Sequence, residues 1–198
     1  MSNKQTLDQY GSIYLKDVLP IEFCQFFTHV LLRQTSLDGK KGDEQIPNAK
    51  AILDHEVMFE TLQERLWPVL EQIVGEELLP TYSYSRLYSN GDILEKHKDR
   101  PACEISATIQ LGRSHHYAWP IYMGDKRYDL AEGDAVIYKG CDVEHWRNKC
   151  DGPEGYYSGQ LFIHFVKKNG AHSHEFGDST VRNNFSYAKH RSIVMEQK

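Results

Sequence analysis

The sequence has little of what would tie it to a membrane, to nucleic acid or to a disulfide framework. Only four of its 198 residues are cysteines, Cys24, Cys103, Cys141 and Cys150, and no two form a Cys-x-x-Cys pair. A structural zinc site usually needs closely paired thiolates, so none is expected. Four scattered thiols are also too few for a disulfide framework. No apolar run approaches the roughly 20 residues of a membrane-spanning helix, and residues 1–6 lack the apolar stretch of a secretory signal. The expectation is a soluble, cytoplasmic protein with no membrane partner. Net positive charge is missing as well. With 23 Lys and Arg against 28 Asp and Glu the balance is −5, which argues against general nucleic-acid binding.

What is present is ordinary globular material, with 40% hydrophobic and 26% charged residues, and a wealth of tyrosine, twelve in all. The length suits one domain, 1–198, with one well-buried core. Residues 1–78 read as mainly helical. Phe23, Phe26, Phe27, Val30 and Leu31 recur at helical spacing just after Pro20. Thr35 to Asn48 is polar, carries Gly39, Gly42 and Pro47, and reads as a loop. Asp54 is the expected N-cap of a second helix with Phe59, Leu62, Leu66, Leu70 and Ile73 on one face, a kink or new turn at Pro68 and a stop at Gly75. Residues 79–168 change to strand texture: about eight short runs separated by turns such as Asn90-Gly91 and Glu132-Gly133-Asp134. The fold class this predicts is mostly β (α+β), a jelly roll or barrel braced from outside by the N-terminal helices, with 169–198 a peripheral tail. Tyr82, Tyr84, Arg86 and Tyr88 alternate, so they share one face of their strand.

The chemistry gathers at His97-Lys98-Asp99. Composition alone yields about one His-x-Asp or His-x-Glu in a chain with ten histidines and 28 acidic residues, so the context must carry the reading. In a strand, residues two apart point the same way, and His97 and Asp99 can offer an imidazole and a carboxylate to one ion. His145, on a strand-like run 46 residues after Asp99, is the natural third donor. Two histidines and one carboxylate on one side of an ion leave open positions on the other, the arrangement of non-haem Fe(II) oxygenases.

From Tyr82 to Val166 the chain resembles the Fe(II)/2-oxoglutarate-dependent oxygenases, within them the prolyl 4-hydroxylase-like branch. The Asn90-Gly91 turn before His97 and Asp99, the Glu132-Gly133-Asp134 turn, Val143-Glu144-His145 and the closing strand from Leu161 fall in that family's order. The resemblance implies a double-stranded β-helix (a cupin-like jelly roll). It also implies Fe(II) held by His97, Asp99 and His145, with 2-oxoglutarate and O2 as cosubstrates and ascorbate as a further reductant. Tyr88 matches a tyrosine that often bonds 2-oxoglutarate. The family usually has an Arg or Lys at the start of the last strand for the distal carboxylate, and Ser158 stands there instead. Substitutes are Arg147, on the face of His145, then Arg86, then Arg113. The implied activity is hydroxylation of a C–H bond, with protein prolyl side chains or small molecules as substrate, releasing succinate and CO2.

Two other readings share the pattern: a cupin-type metal-binding barrel, and an interaction domain whose ligand set is incidental. Other conspicuous residues carry plainer expectations. His115-His116 and His172-x-His174 read as loop and tail positions, Trp119 and Trp146 as core packing, Cys103 and Cys141 as small core residues. Arg100 is as expected for a solvated charge as for a substrate contact at the cleft mouth.

Overall fold

The computed structural model describes residues 1–37, 42–54 and 56–177. Most of the tail expected at 169–198 therefore lies outside the described residues, as does part of the loop expected at 35–48. The described residues are mostly β, with two antiparallel sheets and three α-helices. No helix of the described residues is long and apolar enough to cross a membrane.

The first helix, α1 (Asn3–Tyr10), is not visible in the hydrophobic pattern because only Leu7 is buried. It is fixed by its ends. The Ser2 hydroxyl accepts from the Gln5 amide at 3.3 Å, the Ser2 amide donates to Gln5 Oε1 at 2.8 Å, and Gly11 closes the helix at φ 70°. β1 (Ser12–Leu15) follows, then α2 (Ile21–Leu37). The expected face of α2 is buried in part: Phe27, Val30 and Leu31 pack on the core, and Phe23 and Phe26 do not. Phe23 and Phe26 are 53% and 57% exposed, while Cys24, Phe27, Thr28 and Leu31 face the core. The period was right and the phase was set by polar fit. Thr28 Oγ1 donates to the Cys24 carbonyl and accepts the Gly112 amide, both at 2.7 Å, docking the helix on a strand end that has no Cβ in the way.

Asp54 is not a helix cap. It ends β2 (Ala51–Asp54), and Glu56 precedes α3 (Val57–Val74) without a side-chain cap bond. α3 continues through Pro68 to Gly75, whose φ of 74° stops it as expected. Phe59, Leu66, Leu70 and Ile73 are buried, with Trp67 and Gln63 beside them.

The remaining strands are β3 (Leu78–Ser89), β4 (Leu94–His97), β5 (Ile105–Arg113), β6 (Ile121–Met123), β7 (Lys126–Tyr128), β8 (Ala135–Tyr138), β9 (His145–Arg147) and β10 (Tyr157–Lys167). The larger sheet runs β1-β8-β5-β10-β3-β2 and the smaller β4-β9-β6-β7. Period-two alternation divides the larger sheet into two faces. Ile105, Ala107, Ile109 and Leu111 of β5 and Leu161, Ile163 and Phe165 of β10 pack on α2 and α3 in the main core. Each of the Ile, Leu and Phe side chains contributes about 1.5–3 kcal/mol by leaving water. The opposite face carries Tyr82, Tyr84, Arg86, Tyr88, Ser106, Thr108, Gln110, Gln160, Phe162 and His164, and it turns toward the smaller sheet. One local irregularity matters later. The β10–β3 register shifts between Ile163 and Phe165, and Gln63 Nε2 bonds the Tyr82 and His164 carbonyls at 3.1 and 2.7 Å.

Candidate functional site

The register of the smaller sheet makes the centre. β4 and β9 pair so that His97 lies opposite His145, with ring centroids 4.3 Å apart. β4 ends at His97, so Asp99 is placed by a turn, not by strand alternation. Its amide donates to the Gly140 carbonyl at 2.9 Å, and Gly140 has no room for a side chain: a Cβ there would overlap the Cys103 carbonyl and sit 2.5 Å from Asp99 Oδ2. Asp99 Oδ1 is 3.6 Å from His97 Nε2 and 3.4 Å from His145 Nε2. One ligand atom from each of the three residues lies within 4.8 Å of the others'.

The imidazoles are oriented for this. His97 Nδ1 is 2.7 Å from the Glu95 carbonyl and His145 Nδ1 is 3.0 Å from the Val143 carbonyl. A carbonyl only accepts, so both Nδ1 atoms carry the proton and both Nε2 atoms present a lone pair inward. Gln45 Nε2 donates to the His97 lone pair at 2.9 Å, on the atom a metal would take. Burial would raise the Asp99 carboxyl, but His145 and His97 in their protonated forms outweigh it and hold the group well below the usual carboxylate range. Burial pulls His97 down, and Asp99 and the Glu95 carbonyl reverse that and leave it raised. An anionic carboxylate between two inward lone pairs suits a divalent cation and has no need of a thiolate.

The three residues line a cleft of about 400 Å³ between the sheets. Tyr82, Tyr84, Arg86 and Tyr88 all line it, on the one face that their alternation predicts. Arg100 and Lys98 stand at its exposed side. The two leading arginine candidates differ in kind. Arg86 reaches the cleft but is already engaged: its Nη2 is 2.5 Å from Asp43 Oδ2 and 3.0 Å from Gln45 Oε1, and its Nη1 donates to the Tyr88 hydroxyl at 2.8 Å. Arg147 does not line the cleft. It is register partner to Leu94 and stacks on Trp119 with Cζ 5.0 Å from the ring, behind Leu94 and Tyr88, which do line it. Its Nη1 donates to the Trp119 carbonyl, while Nε and Nη2 are buried without a partner. Burial lowers the affinity of this guanidinium for its proton. Arg113 bonds the Tyr117 carbonyl at 3.5 Å and lies away from the cleft. Ser158 is buried and accepts from Gln110 Nε2 at 3.1 Å, so no cation stands at the start of the last strand.

Trp119 is buried in the core as expected, and Trp146 stacks on Tyr122 at 5.3 Å outside the cleft lining. His115, His116, His172 and His174 also stay clear of the cleft. Sequence reasoning missed His164 and Phe162, although alternation along β10 puts them on the inner face. It missed Asp43 and Gln45, which come from a loop whose path no periodicity reveals. Cys103 is buried as expected and also lines the cleft.

No protein-family model and no curated protein matches the sequence. Solved structures do match. A prolyl-4-hydroxylase from Pseudomonas putida superposes with a TM-score of 0.64 at 16% identity, over 82% of this chain and 96% of that one. A 2OG-Fe(II) oxygenase family oxidoreductase from Burkholderia pseudomallei gives 0.65 at 14% identity, over 88% and 92%. HygX from Streptomyces hygroscopicus, solved with nickel and 2-oxoglutarate bound, gives 0.64 at 12% identity, over 83% and 86%. The chain shares the fold of these 2-oxoglutarate-dependent oxygenases.

Proposed function

We propose that this chain is an Fe(II)- and 2-oxoglutarate-dependent dioxygenase of the prolyl 4-hydroxylase-like branch, built on a double-stranded β-helix, and that it hydroxylates a C–H bond. The observation that carries the reading is the trio of His97, Asp99 and His145, with both Nε2 lone pairs and Asp99 Oδ1 converging while both Nδ1 atoms are pinned to backbone carbonyls. These residues fit Fe(II), since three protein donors on one side leave positions for cosubstrates on the other. With 2-oxoglutarate and O2 bound, the metal supplies the oxidising chemistry; one oxygen atom of O2 enters the substrate as hydroxyl and the other enters succinate, with CO2 released. Ascorbate is the expected reductant for metal oxidised without turnover.

The chain's own residues bind, orient and exclude water. Arg147 suits the distal carboxylate of 2-oxoglutarate, which would pass Leu94 and Tyr88 at the cleft wall to reach it. Its two unpartnered, buried nitrogens, Nε and Nη2, are what a carboxylate would satisfy, and no acidic partner neutralises it among the described residues. Arg86 is a poorer anchor because Asp43 already balances its charge. Its bond to the Tyr88 hydroxyl orients Tyr88 instead, at the cleft wall between the metal donors and Arg147. The substrate is a protein prolyl residue or a small molecule seated between Tyr82, Tyr84 and Phe162 at the cleft mouth. A cytoplasmic setting suits four unpaired cysteines.

The test is turnover. Wild-type protein with Fe(II), 2-oxoglutarate, O2 and a panel of proline-containing peptides and free amino acids should form succinate. One panel member should gain a single oxygen atom by mass. Asp99→Ala should abolish both. Succinate formation that survives in Asp99→Ala, or none in the wild type with metal bound, would overturn the proposal.

A further inference from the structure

A second set of metal-binding side chains shares Asp99 with the first. Asp99, Cys103 and His164 can each bring one ligand atom within 4.8 Å of the others'. Three separate elements supply them: the turn after β4, the helical turn Pro101–Cys103 and β10. Cys103 and His164 are 3% and 6% exposed, yet both line the cleft, so an ion can reach them from it. The cluster is held in place. Ser106 Oγ lies 3.3 Å from Asp99 Oδ2, 2.8 Å from His164 Nδ1 and 3.1 Å from the Cys103 carbonyl. The Tyr82 hydroxyl is 3.2 Å from Cys103 Sγ. The two sets also use different edges of one carboxylate. Oδ1 faces His97 and His145, and Oδ2 faces Ser106, whose hydroxyl also meets His164 Nδ1.

We propose that Asp99, Cys103 and His164 form a second metal site, selective for Zn2+ and similar thiolate-seeking cations, whose occupation inhibits the enzyme by drawing Asp99 away from the iron triad. The selectivity follows from the donors. Thiolate favours zinc, whereas the triad of two imidazoles and a carboxylate does not distinguish strongly among borderline cations. A thiolate and a carboxylate together neutralise a divalent charge in this buried place. Binding Zn2+ forms the zinc–sulfur bond and releases the thiol proton into the cleft. Zinc–ligand lengths of about 2.0–2.3 Å require the donors to draw in by about 1 Å, within the reach of side-chain rotation. Water or the Tyr82 hydroxyl would complete four-coordination. Two dications on one carboxylate repel, so filling the second site weakens the first. The inhibitory part rests on the oxygenase reading, and the metal site itself does not.

The experiment separates them. Co2+, a coloured surrogate for zinc, is titrated into the His97→Ala/His145→Ala double variant, which lacks the triad. A thiolate-to-cobalt charge-transfer band should appear in the near ultraviolet and be lost when Cys103→Ser is added. His164→Gln in the same background should weaken Zn2+ binding at least tenfold by calorimetry. No thiolate band in the folded double variant, or a band that survives Cys103→Ser, overturns the site. In otherwise wild-type protein, with Fe(II) in excess, Cys103→Ser should raise the Zn2+ concentration that halves its own rate of succinate formation at least tenfold. Unchanged zinc sensitivity overturns the inhibitory role. A wild type that makes no succinate while the cobalt band appears would sink the oxygenase reading and leave the second site standing.

Discussion

Replacing Arg147 by methionine should stabilise the ligand-free protein and abolish its response to 2-oxoglutarate. Arg147 is among the largest fully buried side chains, and two of its three nitrogens have no partner. Each unsatisfied buried N–H costs about 1–3 kcal/mol, and the desolvated charge adds several more. Against this stand the bond to the Trp119 carbonyl and the stacking on its ring, worth about 1–3 and about 2 kcal/mol. Methionine fills similar volume without charge, and such replacements in other proteins gain about 1–4 kcal/mol. With about 2–4 °C per kcal/mol for a chain of this size, a 2 kcal/mol gain raises Tm by about 4–8 °C. The wild type, loaded with Mn2+ and then given 2-oxoglutarate at a hundred times its Kd, should gain about 2.7 kcal/mol, and Arg147→Met should gain almost nothing. Differential scanning calorimetry of both proteins with and without the cosubstrate reads all four states. A variant less stable than wild type by several kcal/mol would mean that Arg147 is a structural post. A variant that keeps the full 2-oxoglutarate shift would shift the anchor to Arg86.

Three further outcomes follow from the same geometry. Gly140→Ala should displace Asp99 and weaken divalent metal binding at least tenfold by calorimetry, since the new Cβ overlaps the Cys103 carbonyl and crowds Asp99 Oδ2; undiminished binding would contradict the placement of Asp99. The pH dependence of stability should reverse sign with metal. His97 is raised above about 6.5 by Asp99, so in the metal-free protein its contribution is complete below about 6.5 and fades as pH rises through the higher folded value. The depressed Asp99 contributes above about 3.8 and fades only as pH falls through its folded value. Metal needs neutral His97, so the Tm gained on adding Mn2+ should grow from pH 6 to pH 8 while the chelated protein loses stability; parallel curves would refute the coupling. Gln63→Ala should cost about 2 kcal/mol, lowering Tm by about 4–8 °C, because the Tyr82 and His164 carbonyls lose a shared donor where the strand register shifts; calorimetry that finds no loss would show water in its place.

The β core and its inner tyrosine face were legible because alternation is a local property. Tyr82, Tyr84, Arg86 and Tyr88 needed no knowledge of a partner strand to be placed together. His97 and His145 were legible as a pair through their strand contexts, and their register then set them opposite each other. Helix phase was less legible. Phe23 and Phe26 outweighed Cys24 and Thr28 by hydrophobicity, but Thr28 bonds the Gly112 amide, a contact 84 residues away that no local pattern contains. Asp54 looked like a cap because Asp residues cap helices, and strand pairing to β3 claimed it first. Asp43 and Gln45 were out of reach for the same reason: their partners Arg86 and His97 lie 43 and 52 residues on, and only the closed fold brings that loop to the cleft. Cys103 looked like filler because a small apolar residue in a buried turn is what a core contains, and its neighbours Asp99 and His164 come from two other elements.

On the proposed reading, His97, Asp99 and His145 hold an iron to which 2-oxoglutarate binds. This is tested most directly without any substrate, by adding Fe(II) and then 2-oxoglutarate to the apo protein under anaerobic conditions and recording the visible spectrum. A metal-to-ligand charge-transfer band is expected in the wild type and not in Asp99→Ala or His145→Ala. Fe(II) binding with no such band in the wild type would contradict the cosubstrate, and no Fe(II) binding would contradict the centre itself.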